Sequence, residues 1–150
     1  MHLAEIIIPT GVAHSGMKVA DVLEECVAHN VPGLPYCDAD GRVIGRVSIR
    51  HTLKVTCIPE YMVKGAHMLG DAIDSLMIDV EQIRDILELP VDRFVLQKTV
   101  CMSHGSPIVK ALSSMEHFNS DYIFLVENGR YLGMVTRMGI TRLLLQKRRS

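Results

Sequence analysis

The strongest constraint on this chain is that it contains itself twice. Residues 15–30, Ser15-Gly-Met-Lys-Val-Ala-Asp-Val-Leu-Glu-Glu-Cys-Val-Ala-His-Asn30, align without a gap on residues 104–119 at an offset of 89. Gly16 meets Gly105, Val19 meets Ile108, Leu23 meets Leu112, Cys26 meets Met115 and Asn30 meets Asn119. Self-similarity at a fixed offset means a supersecondary unit used more than once. A unit of about 50 residues buries too little surface to stand alone. Two copies packed sheet to sheet can share a core.

Within each copy the hydrophobic period changes. Positions 19, 22, 23, 26 and 27 are apolar at helical spacing, as are 108, 111, 112 and 115. Ser106 followed by Pro107 predicts an N-cap with proline in the first helical position. Residues 33–48 then read as a short apolar strand, an Asp40-Gly41 turn and a second strand. Residues 122–136 repeat this with an Asn128-Gly129 turn one residue shorter, so the offset falls to 88. Gly45 meets Gly133, and Val47-Ser48 meets Val135-Thr136. Ser48 and Thr136 are good N-caps for helices expected at about 49–53 and 138–145. Each copy thus predicts strand, helix, strand, turn, strand, helix. The intervening residues are read as helical over 60–76 and 80–89, punctuated by Pro59 and Pro90. Met62, Met68, Leu69, Ile73, Leu76 and Met77 form an apolar face there, expected to pack in a core or a dimer seam.

Composition narrows the class. Hydrophobic residues make up 48% and charged residues 22%, as in globular domains rather than disordered chains. A net charge of −1 gives no global field for nucleic acid or anionic membranes, and the Lys147-Arg148-Arg149 tail suits a helix C-terminus. The absence of Trp, with three Phe and four Tyr, leaves few platforms for stacking single-stranded bases. Cys26, Cys37, Cys57 and Cys101 have apolar neighbours and no C-x-x-C pair, so buried free thiols in a reducing cytosol are expected. The N-terminus lacks signal-peptide character, and no run of 18 apolar residues occurs. None of the seven histidines has zinc-ligand spacing, there is no G-x-S-x-G elbow, and no Gly-rich phosphate loop is present. Glu24-Glu25 and Glu81, Asp85 and Glu88 are read as solvated helix faces. No catalytic constellation is expected.

These segments resemble a tandem pair of cystathionine-β-synthase (CBS) domains, a Bateman module. The resemblance rests on Gly33-Leu34-Pro35-Tyr36-Cys37-Asp38, Gly41-Arg42-Val43-Ile44-Gly45 and Val47-Ser48 in the first copy. In the second it rests on residues 125–133, Leu-Val-Glu-Asn-Gly-Arg-Tyr-Leu-Gly, and Val135-Thr136. It implies an α/β (α+β) fold of two β-α-β-β-α repeats with pseudo-two-fold symmetry: a first repeat at 1–53, a helical linker at 54–94 and a second repeat at 95–150. It also implies a cytoplasmic, regulatory, non-catalytic module that binds AMP, ADP, ATP or S-adenosylmethionine in clefts between the repeats. Such pairs commonly form homodimers and are usually fused to enzymes, channels or transporters. If Met1 is the native start, this pair would act in trans.

The resemblance also places candidate residues. Thr10 and Gly11, following Ile8-Pro9, and Thr99, following Gln97-Lys98, would supply backbone groups to the base. Val31, Pro32, Gly33, Leu34 and Pro35 would add backbone and apolar contacts, as would Ser120, Asp121, Tyr122 and Ile123. Ser48-Ile49-Arg50-His51 and Thr136-Arg137-Met138-Gly139 stand where the family carries a Ser/Thr-x-x-Asp motif for ribose and phosphate. A helix N-terminus suits phosphate, and a carboxylate accepts from two ribose hydroxyls. The family aspartate is His51 in one copy and Gly139 in the other. Two readings of that departure stand. Either Arg46, Arg50, Arg137 and His51 supply donors to a phosphorylated ligand, or the clefts are vestigial and the hydroxyls only cap helices. Asp121 either replaces the ribose acceptor or sits at a turn. If one cleft works, Ser48, Arg50 and His51 favour theirs.

Overall fold

The computed structural model describes residues 2–57 and 79–149. The helix read over 60–76 and its methionine face lie outside the described residues. Each copy builds one three-stranded sheet. In the first, β1 (Ala13–His14) runs parallel to β2 (Gly33–Cys37), which pairs antiparallel with β3 (Val43–Ser48). In the second, β4 (Cys101–Met102), β5 (Tyr122–Glu127) and β6 (Arg130–Thr136) repeat that arrangement. The helices are α1 (Val19–His29), α2 (Ile49–Cys57), α3 (Val80–Leu87), α4 (Ile108–His117) and α5 (Arg137–Arg149). Short 3-10 turns occupy Leu3–Ile6 and Val91–Phe94. This is the mixed α/β pair of repeats expected from the sequence.

The repeated residues have local jobs. Asn30 ends α1 in the left-handed region at φ 53°, its N–H reaching the Cys26 and Val27 carbonyls; Asn119 follows α4 at φ 50°. Asparagine is among the few side chains that tolerate this conformation. In the second hairpin Asn128 and Gly129 both have positive φ, as a tight two-residue turn demands. In the first, the Asp38 carboxylate accepts from the N–H groups of Asp40 and Arg42, each at 2.9 Å, closing the longer turn.

Four local expectations are corrected. Helix α4 starts at Ile108, with Pro107 as its N-cap residue at φ −73°, ψ 153° and no side-chain cap, while Ser106 is buried beside it. Pro107 stays extended because it bridges to His2, as Lys18 before α1 bridges to Pro90. Helices α2 and α5 run beyond the expected 49–53 and 138–145. Val27, on the apolar helix face read from the spacing, is 76% exposed. Cys101 is exposed and Cys57 only half-buried; Cys26 and Cys37 are buried, and all four thiols are free.

The units are joined by exchange of their lead-in segments. Ile8 of the first unit bridges Met134 on β6, and Leu96 ahead of the second bridges Arg46 on β3. Both bridges are two-way: Ile8 N–H to Met134 O at 2.8 Å and Met134 N–H to Ile8 O at 2.9 Å, with matching bonds of 2.8 and 2.9 Å between Arg46 and Leu96. The 3-10 turns follow the same rule. Leu3 buries among Ile123, Val135, Ile140 and Leu143 of the second unit. Val91 buries with Val22, Leu34 and Val47 of the first, in a cluster that also takes Tyr122, Phe124 and Met134 from the opposite sheet. No helix among the described residues is long and apolar enough to cross a membrane.

Candidate functional site

The N-terminal turns of α2 and α5 are built alike. The Ile49 N–H donates to Pro32 O at 2.9 Å, and the Arg137 N–H to Asp121 O at 3.0 Å. Ser48 Oγ accepts from His51 N at 3.5 Å, and Thr136 Oγ1 accepts from Gly139 N at 3.0 Å. The two hydroxyls are therefore N-caps that take the third N–H, while the turn carbonyl takes the first. Neither cap takes the N–H of the second residue, Arg50 or Met138. Among the described residues that N–H has no side-chain cap at either end, where the helix dipole favours negative charge.

Each end opens on a cleft that combines one unit's helix with the other unit's turn. The larger cleft, about 550 Å3, lies between Thr136 at the end of β6, Arg137 and Met138 of α5, and the Asn30-Val31-Pro32 turn of the first unit. Ile8, Val27 and Ile49 complete an apolar wall, and His29 and Arg142 stand at its polar side. The smaller cleft, about 250 Å3, lies between Ser48 at the end of β3, Arg50 and His51 of α2, and the Asn119–Tyr122 turn of the second unit, with Lys54, Arg46 and Leu96 at its border. Pro32 and Asp121 belong to both linings. The larger volume thus lies under Thr136, not under the Ser48 end that the sequence favours.

The basic groups differ in how free they are. Arg46 is committed: its Nε donates to Lys98 O at 3.0 Å, an Nη donates to Tyr122 Oη at 2.9 Å, and its guanidinium sits 5.7 Å from that ring's centre. Tyr122 is buried, so this knot fills part of the smaller cleft. Arg137 donates from Nε to Asp121 Oδ1 at 3.0 Å and from Nη2 to Glu116 Oε2 at 3.3 Å. These carboxylates are mostly exposed, which makes the pairing weak and exchangeable. Arg142 has no hydrogen bond or ion pair among the described residues. His29 Nε2 lies 2.7 Å from Glu25 Oε1, which also accepts from Gly11 N at 2.9 Å. Glu25, expected to be merely solvated, therefore ties the end of α1 to the lead-in segment; Glu88 likewise pairs with Lys18 at 2.6 Å.

The structure brings together Val31, Pro32, Asp121, Thr136 and Arg137 in the larger cleft. In the smaller it brings together Pro32, Arg46, Ser48, Arg50, His51, Ser120, Asp121 and Tyr122. Thr10, Gly11, Gly33, Leu34, Pro35, Thr99 and Ile123 line neither. The Thr10 hydroxyl bonds the Tyr131 hydroxyl at 2.7 Å, whose pKa burial pushes up to about 12. Leu34 and Ile123 are core residues, and Pro35 is locked in register with Arg46. Gly33 lies under the Tyr122 hydroxyl, 2.8 Å from where its Cβ would stand. Thr99 accepts from Cys101 Sγ at 3.8 Å. The sequence reading missed His29, Asn30, Lys54, Leu96, Asn119 and Arg142. Two carried a signal: Lys54 and Arg142 are both basic, each six residues past its capping hydroxyl, at the 88-residue offset.

Comparison with known proteins adds to this geometry. The CBS domain family model matches residues 7–56 and 83–146. Comparison with curated proteins gives no match. Among solved structures, the CBS domain of a CBS domain containing membrane protein from Sphaerobacter thermophilus is similar at TM-score 0.68 and 18% identity, over 95% of this chain and 87% of that one. The CBS domain pair of protein MJ0100, in complex with 5′-methylthioadenosine and S-adenosyl-L-methionine, is similar at TM-score 0.67 and 17% identity, over 98% of both chains. CBSX2 in complex with AMP is similar at TM-score 0.67 and 18% identity, over 97% of both. At these identities the likeness speaks for the fold.

Proposed function

The chain belongs to the CBS domain family, and on that premise we propose that it is a regulatory, non-catalytic pair whose larger cleft senses a phosphorylated adenosine ligand. The observation that carries the reading is the 550 Å3 cleft itself, with its apolar wall and an arginine at the mouth of a capped helix. Small-molecule sites occupy about 300–1,000 Å3, mostly apolar with a few placed polar groups. The larger cleft falls inside that range and the smaller, at 250 Å3, below it. In this reading the adenine ring lies against the apolar lining of Ile8, Val31, Pro32 and Met138. Phosphate then meets the Met138 N–H, Arg137 and Arg142. Gly139 offers no carboxylate to ribose, so the phosphate carries more of the affinity. This ranks AMP, ADP and ATP above S-adenosylmethionine, whose sulfonium adds positive charge beside Arg137 and Arg142. Similar CBS proteins in complex with AMP and with adenosyl ligands support the ligand class.

In this reading the pair is a cytoplasmic homodimer that regulates an enzyme or transporter. Titration calorimetry and thermal shift with AMP, ADP, ATP and S-adenosylmethionine test it. A ligand at 100 times its Kd adds about 2.7 kcal/mol to stability, enough for a clear shift. No heat and no shift with any of the four at millimolar concentration would end the nucleotide reading. One observation favours a second reading: Arg46 and Arg137 are already engaged within the chain. In it the clefts are vestigial and the pair works as a structural or interaction protein through its dimer or linker helices. A nucleotide seen by intact mass after gentle purification separates the two.

A further inference from the structure

One carboxylate faces both clefts. Asp121 lies on the wall they share, and it is the single acidic side chain lining either of them among the described residues. The other ionisable side chains there are all basic: Arg137, Arg142 and His29 on one side, Arg46, Arg50, Lys54 and His51 on the other. Its Oδ1 holds Arg137 Nε at 3.0 Å, at the N-terminus of α5 where the larger cleft receives an anion. Glu116 also reaches Arg137, at 3.3 Å, but lines neither cleft.

From this placement we infer that Asp121 is a specificity-determining residue that discriminates ligands by charge. The inference rests on the nucleotide reading above. An incoming phosphate must draw Arg137 from Asp121 and then sit beside the released carboxylate. The repulsion grows with each phosphate added, because Coulomb energy scales with the product of charges. Asp121 thereby lowers the affinity of ATP more than that of AMP, and does nothing to neutral adenosine.

The test is calorimetry on the full chain, wild type against Asp121→Asn and Asp121→Glu, with adenosine, AMP, ADP and ATP at low ionic strength. A solvent-exposed pair changes affinity by about fivefold at most, so Asp121→Asn is expected to tighten AMP on the order of twofold and ATP on the order of fivefold. Adenosine is expected to be unchanged, the gain to shrink as salt is added, and Asp121→Glu to restore wild-type ratios. Glu116→Gln, which removes the other carboxylate on Arg137 without altering a lining charge, should change the ATP-to-AMP ratio less. The same fold-change for adenosine as for ATP would mean a structural role and overturn the inference, as would no change with any ligand. Wild type and variant both failing to bind all four would overturn the nucleotide reading and the inference with it.

Discussion

Replacing Gly133 by alanine probes the crossed lead-in segment most directly. A Cβ at 133 would stand 2.6 Å from Ile7 Cγ1 and 2.7 Å from the Ile8 carbonyl oxygen. The oxygen belongs to the backbone and cannot rotate away. Residues 7–8 must therefore shift, and the bonds of 2.8 and 2.9 Å between Ile8 and Met134 are strained or broken. Two backbone hydrogen bonds are worth about 1 kcal/mol each, and overpacking costs about 1–3 kcal/mol. Because the segment can relax the clash by giving up the bonds, the two do not simply add, and we expect about 2–4 kcal/mol. With a urea m-value of about 2 kcal/mol/M, the midpoint falls by about 1–2 M with m unchanged. Gly105→Ala is the control, since its Cβ meets only Ser103 Oγ at 4.0 Å; it should stay within about 0.5 kcal/mol of wild type. Ile8 also walls the larger cleft, so Gly133→Ala should weaken ligand there. A Gly133→Ala protein within 0.5 kcal/mol of wild type would refute the crossed pairing as a source of stability.

Leu34→Ala removes a fully buried side chain from the cluster joining both sheets, and should cost about 2–5 kcal/mol by urea denaturation. Thr136→Ala strips the cap on Gly139 N and should cost about 1 kcal/mol, with thermal unfolding as the readout; Thr136→Ser should recover most of it. The Asp92 carboxyl, held by the Gly16 N–H, the Tyr36 hydroxyl and Ser15, drops from 3.8 to about 2. Its folded pKa lies below the unfolded one, so its contribution is complete above pH 3.8 and is lost as pH falls toward 2. Discounted for its exposure, that is about 1 kcal/mol. Stability curves of wild type and Asp92→Asn should differ above this window and converge below it; parallel curves would count against the assignment.

Much of the fold was legible because it is local. The helical spacing of 19, 22 and 26, the Asn128-Gly129 turn and the capping hydroxyls each depend on a few neighbouring residues. Ser106 misled because Pro107 answers to His2, more than a hundred residues away, rather than to the helix it precedes. Val27 misled because periodicity finds an apolar face without saying which edge of it meets solvent or a cleft. Leu3–Ile6 and Val91–Phe94 repeat one another at the 88-residue offset, but four residues with little identity give no signal on their own.

Residue order alone therefore specified two like units, their strands and helices, and the hydroxyl that caps each last helix, because propensity, turn chemistry and capping act within a turn or two of chain. Tertiary structure decided what those units do to each other. Ile8 crosses to β6 and Leu96 to β3, so each cleft pairs one unit's turn with the other's helix. The same crossing left Thr136 over 550 Å3 while Arg46 and Tyr122 narrowed the cleft under Ser48 to 250 Å3. Volume and charge pairing are sums over groups far apart in sequence, and only the packed chain brings them within reach of one another.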